Sequence, residues 1–209
     1  EMVMEPAVRV FAAEYNASKF TREDSRTGTR YVVTPGGAWC HRIFIVGALT
    51  NIEISDSSVM EAYVGDPTGS FVLLAAKSRN EIIDTLNMIE PPVFVAVSGM
   101  AHMYLKGNKM IPAIRPDMLN VVEREVRDTW VLRTAELSLE RLEMLDEAIN
   151  NGTSDERIAA VLEYYGPNRD RIKNLARNIR TAVETVKTDE GGEDVSSIVS
   201  REVILRIVQ

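Results

Sequence analysis

Histidine, cysteine and aromatic rings are all scarce in this chain, with 2 His, 1 Cys and 6% Phe, Trp and Tyr in 209 residues. The single cysteine, Cys40, excludes an intrachain disulfide and a cysteine-built zinc site. It reads as a small apolar residue entering a strand. His41 and His102 have no Asp or Glu at a spacing that suggests a metal cage or a general base, so they read as ordinary polar strand residues. No glycine loop of the nucleotide-hydrolase type is present. The chain is therefore read as a non-enzyme, with no catalytic residues, metal, cofactor or small-molecule substrate. It shows no signal peptide and no apolar run near the ~18 residues of a membrane span, so a cytoplasmic protein without a membrane partner is expected.

Positive charge is also short. Lys and Arg number 24 against 31 Asp and Glu, a net of −7. Between Trp39 and Asp128 there are 8 Lys/Arg against 11 Asp/Glu. A strong autonomous nucleic-acid binder carries a basic footprint, and this balance points the other way.

What is present is a series of short β-rich runs joined by turn chemistry. They are His41–Ile54, Val59–Val64, Ser70–Ala76, Val93–Leu105 and Met110–Ile114. A helical insert at Arg79–Ile89 places Ile82, Ile83, Leu86 and Ile89 at helical spacing, and Pro91-Pro92 stops it. Both faces of the first run are apolar, as suits a long strand bent at a Gly or a bulge. Asp66-Pro67-Thr68-Gly69 is a hairpin signal: proline presets its own φ, aspartate bonds nearby amides and glycine accepts positive φ. Lys106-Gly107-Asn108-Lys109 is a second hairpin. Three strands, a helix and two strands is the order of the OB-fold, a five-stranded Greek-key barrel whose second and third strands and loops hold oligonucleotides. The fold class read from the sequence is mainly β with α: this barrel at 39–123, an N-terminal extension at 1–38, a long C-terminal helix and further helices.

In the extension, Val8–Ala13 fits a strand or a helical turn, and Thr21–Arg30 is polar enough to be a loop or mobile segment. Thr34-Pro35-Gly36-Gly37 breaks the chain before the barrel. The helical period begins at Arg124 and runs to Ile149, giving a long amphipathic helix at 124–150. Its apolar face is wider than packing on one small barrel needs, so a partner is expected to cover the rest. A helical pair follows at 151–186, with Thr153 and Glu156 at capping-box spacing and a basic face on Arg169–Val186. An acidic linker at 187–197 leads to an apolar segment, 198–209, expected to open a truncated further domain.

Stacking needs aromatic faces, and phosphate tracking needs cations along a groove. The candidates are Tyr63 and Phe71 on the second and third strands, Lys77 and Arg79 beyond them, and Tyr104, Lys106 and Lys109 on the second hairpin. Phe71 fits a core position as well. The candidate partner surface is Val126, Trp130, Leu137, Leu142, Leu145 and Ile149. Trp130 either packs on the barrel floor or anchors an interface.

Several ordered segments carry a family likeness: Glu5–Tyr15 (EPAVRVFAAEY), the run Ile43–Ile54, Gly65-Asp66-Pro67-Thr68-Gly69, and Glu125–Trp130 (EVRDTW). Together they resemble archaeal replication protein A-associated proteins, OB-fold proteins similar to the middle subunit of eukaryotic replication protein A. The resemblance spans most of Glu5–Ile149. It implies a nucleoid-associated subunit of a complex that binds single-stranded DNA in replication, repair and recombination. Its long helix would bundle with helices of the other replication protein A-like subunits, and a winged helix would follow the acidic linker. DNA would be bound mainly by the assembled complex. The acidic barrel also admits an alternative, a protein–protein scaffold module of a genome-maintenance complex that never touches DNA.

Overall fold

The structure, a computed structural model, describes residues 6–54, 59–78 and 80–186. Its elements run α1 (Ala12–Asn16), β1 (Phe20–Glu23), β2 (Arg30–Val33), β3 (Trp39–Cys40), β4 (Arg42–Ile54), β5 (Val59–Asp66) and β6 (Gly69–Ala76). Then follow α2 (Asn80–Met88), β7 (Val93–Lys106), β8 (Lys109–Val121), α3 (Arg124–Asn151), α4 (Glu156–Tyr165) and α5 (Arg169–Glu184). The barrel is closed in the order β4-β5-β6-β8-β7, and β1-β2-β3 form a separate antiparallel sheet. The expected strand order and intervening helix are present. Arg79 and the expected linker and C-terminal segment at 187–209 lie outside the described residues.

Closure follows from two places where the backbone comes unusually near itself. A Cβ on Gly47 in β4 would lie 2.4 Å from the Gly65 carbonyl oxygen of β5. A register shift follows between Leu49 and Asn51, so β4 bends there and serves both β5 and β7. A Cβ on Gly99 in β7 would lie 2.2 Å from the Arg115 carbonyl oxygen, at the bulge between Ser98 and Gly99. Bulges of this kind curve a sheet and re-aim the neighbouring side chains. Ile43, Ile45, Leu49, Leu73 and Ile114 fill the interior at 0% exposure. Each such side chain contributes about 1.5–3 kcal/mol on burial.

Several expectations are corrected. Thr21–Arg30 is a hairpin region rather than a loop, because β1 pairs with β2 from Phe20↔Val33 to Glu23↔Arg30. Trp39 and Cys40 pair with β2 rather than opening the barrel, which starts at Arg42. Within Val8–Ala13 both alternatives occur: Val8 bridges Ile43, and α1 begins at Ala12. β8 runs to Val121, well past Ile114. Proline lacks a ladder donor, but Pro116 sits at the bulge opposite Gly99 and is accommodated there. The cap of α4 is Asp155, whose side chain accepts from the Arg157 and Ile158 amides; Thr153 lies outside the helix.

The N-terminal segment is a structural part of the barrel. Asp66 in the β5–β6 turn accepts the Ala12 amide at 2.7 Å, and Thr68 Oγ1 accepts the Ala13 amide at 3.0 Å, so that turn caps α1. The buried Tyr15 hydroxyl donates to the Ala113 carbonyl at 2.6 Å. From the other end of the chain, α3 packs on β4 and β7 and against α4 and α5.

Candidate nucleic-acid interface

β7 parts from β4 after Met100 and continues with β8 as a two-stranded arm to the Lys106↔Lys109 pair. Beneath this arm lies a groove of about 1050 Å³. It is lined by the arm itself, by Val59, Glu61, Leu74 and Ala76 of β5 and β6, and by Thr21, Arg30, Tyr31 and His41 from the N-terminal side. Among the described lining residues, Arg30, Lys106 and Arg115 are cationic and Glu61 is the one acid. A chain of net charge −7 thus holds a basic groove.

The nucleic-acid candidates divide. Tyr104 and Lys106 line the groove. Lys106 Nζ is 3.1 Å from Glu61 Oε2, and the Tyr63 hydroxyl donates to the same oxygen at 2.9 Å. Tyr63 is therefore joined to the groove through Glu61 without lining it. That hydrogen bond, ahead of burial, pushes the Tyr63 phenol up, while burial is the main cause of the rise at Tyr104. Phe71 is corrected: it is 1% exposed inside the barrel, its ring 5.9 Å from that of Tyr15, with no face for a base. Alternation along β6 sends it inward with Leu73 and Ala75. Lys77 and Lys109 are exposed beyond the groove's lining.

The partner candidates divide as well. Trp130 is 1% exposed, donates Nε1–H to the Phe44 carbonyl at 2.9 Å and meets Phe11 edge-on at 5.5 Å. Of its two alternatives, the structure takes the barrel floor. Leu142 and Leu145 are likewise buried within the chain. Leu137 and Ile149 are half-buried, and Val126 is exposed. The apolar face of α3 is covered largely by the chain's own segments. The basic face of α5 is partly neutralised by Arg169–Asp146 at 3.1 Å and Arg180–Glu184 at 3.1 Å.

Residues passed over in the sequence complete the groove. Arg115 Nη2 lies 2.9 Å from His102 Nε2. A guanidinium has no acceptor, so the imidazole nitrogen accepts. Burial first, and then the Arg115 charge, lowers the His102 pKa, and the group that meets Arg115 is this imidazole rather than a carboxylate. One sequence signal pointed here. His102 shares strand parity with Tyr104 and Lys106, so the face assigned to those residues includes it.

A closed five-stranded barrel of this order, with a helix between the third and fourth strands, is an OB-fold. Among solved structures the chain is similar to a chain of the Stn1–Ten1 complex of S. pombe, with TM-score 0.52, 12% identity, and coverage of 67% of this chain and 99% of that one. It is also similar to a chain of a replication protein A heterotrimer bound to single-stranded DNA, with TM-score 0.42, 16% identity and coverage of 58% and 88%. At these identities the first likeness speaks to the fold, in agreement with the topology. No family model matches the chain, and no curated protein matches it.

Proposed function

We propose that this protein binds single-stranded DNA in the groove beneath the β7–β8 arm, as a subunit of an archaeal replication protein A-like complex resembling the middle subunit. Replication, repair and recombination are the processes such a complex serves. The observation that carries the reading is the placement of charge: Arg30, Lys106 and Arg115 share one groove with a single acid, in a chain that is otherwise acidic. Tyr104 adds an aromatic face there, and a stacked base contributes about 1–3 kcal/mol. One such face with few cations supports weak binding by the chain alone, so tight binding is assigned to the complex. The surface left for assembly is smaller than the sequence suggests, with Val126 and Met144 exposed on α3 at 43% and 49%.

Fluorescence anisotropy with labelled single-stranded and duplex oligonucleotides tests this, on the chain alone and with a larger replication protein A homologue. The expected result is weak, salt-sensitive, single-strand-selective binding that tightens in the complex. Equal affinity for duplex, or no binding in either state, overturns it.

A second reading rests on Glu61. Its carboxylate lines the groove on β5 and already engages Lys106, as a protein–protein scaffold with no DNA contact would allow. Lys106→Glu with Lys109→Glu separates the two. Unchanged DNA binding by an intact complex favours the scaffold.

A further inference from the structure

The groove's three cations are not equally available. Lys106 faces Glu61, whose side chain is only 15% exposed. Arg30 pairs with Glu23 at 3.2 Å, but those side chains are 72% and 55% exposed, so water and salt screen the pair. Arg115 rests against the His102 imidazole at 2.9 Å rather than against a carboxylate. The two guanidiniums most open to a phosphodiester therefore come from different structural units. Arg115 belongs to the barrel, and Arg30 belongs to the N-terminal sheet.

That sheet is held firmly against the barrel. His41 Nδ1 lies 3.1 Å from the Arg30 carbonyl oxygen, and the His41 carbonyl accepts the Ala101 amide at 2.8 Å. Behind Arg30, the Arg157 guanidinium stacks over Tyr31 at 5.0 Å and Trp39 at 5.1 Å, and Arg22 approaches Trp39 at 5.9 Å. Rings clamped by guanidiniums give β2 a fixed position, which lowers the ordering cost of binding.

We propose that the N-terminal sheet is the second half of the nucleic-acid site. A single strand crossing the groove places one phosphate on Arg115 and another on Arg30, with bases passing Tyr104 and His41. The inference rests on the reading that the groove takes a single strand, and it lengthens the footprint beyond the barrel.

The test is anisotropy on the full chain, alone and in its complex, with oligothymidylates of increasing length across a salt series. Wild type is compared with Arg30→Ala and Arg115→Ala; the Arg30 side chain is 72% exposed, and circular dichroism checks that each variant folds. Each substitution is expected to lower the slope of log affinity against log salt by about 0.7 for every phosphate that is no longer neutralised. Arg30→Ala should also lose the affinity that longer oligomers gain. Photo-crosslinking with 5-iodouracil oligomers should mark His41 as well as Tyr104. If Arg30→Ala matches wild type at every length and crosslinks stay on the barrel, the inference is wrong while the groove reading stands. Absence of any binding by wild type, alone or assembled, removes both.

Discussion

One oxygen of Glu61 lies 3.1 Å from the Lys106 ammonium and accepts the Tyr63 hydroxyl at 2.9 Å. It ties the barrel's platform to the tip of its hairpin. An incoming phosphate must compete with that carboxylate for Lys106. Glu61→Gln is therefore expected to tighten single-strand binding, by about fivefold for one screened charge pair, and to steepen its salt dependence. Anisotropy across a salt series measures both. Weaker binding by the variant would show that Glu61 aids the ligand rather than opposing it.

Trp130 gives the second prediction. With its indole fully packed and its N–H engaged by Phe44, Trp130→Ala should lower stability by about 3–5 kcal/mol. The loss should appear in denaturant melts of the isolated chain, where a pure interface anchor would leave the melt unmoved.

Gly99 gives the third. A methyl group there meets the Arg115 carbonyl at 2.2 Å, so Gly99→Ala must push β8 away at the bulge that aims Arg115. A cost of about 1–3 kcal/mol is expected, together with weaker binding at temperatures where the variant remains folded. Urea melts and anisotropy read the two effects separately.

The fourth concerns pH. Burial and Arg115 lower the folded-state pKa of His102 below its unfolded value, which is about 6.5. Between those two values the unfolded chain binds the extra proton, so stability rises with pH across that window. The contribution is fully present above the unfolded value and is lost as pH falls through the folded one. Protonation also removes the acceptor that faces Arg115. NMR titration of the imidazole should place its midpoint below the ordinary value, and His102→Gln should flatten that part of the stability profile.

The barrel was legible because alternation, turn residues and the α2 insert agree, and each acts locally. Phe71 shows the limit: alternation says that two faces exist, and only pairing with β5 and β8 decides which faces inward. The Thr21–Arg30 hairpin was hidden because its strand residues at 20–23 are all exposed, so no apolar stripe marks them. The helix at Arg124 taught the opposite lesson. Its periodicity measured how much surface needs cover, but α4, α5 and the barrel supply that cover from within the same chain. Arg30 carried no signal at all, since its place in the groove's lining depends on a sheet folded over from before the barrel.

Asp66 and Thr68 grip the first turn of α1, and Tyr15 reaches through to the backbone of β8. A protein trimmed at Trp39 to isolate the barrel would lose both plugs together. Empty sockets beside Phe71, with bare turn acceptors at their rim, would make the shortened piece sticky and frail, and a poor guide to what the whole chain binds.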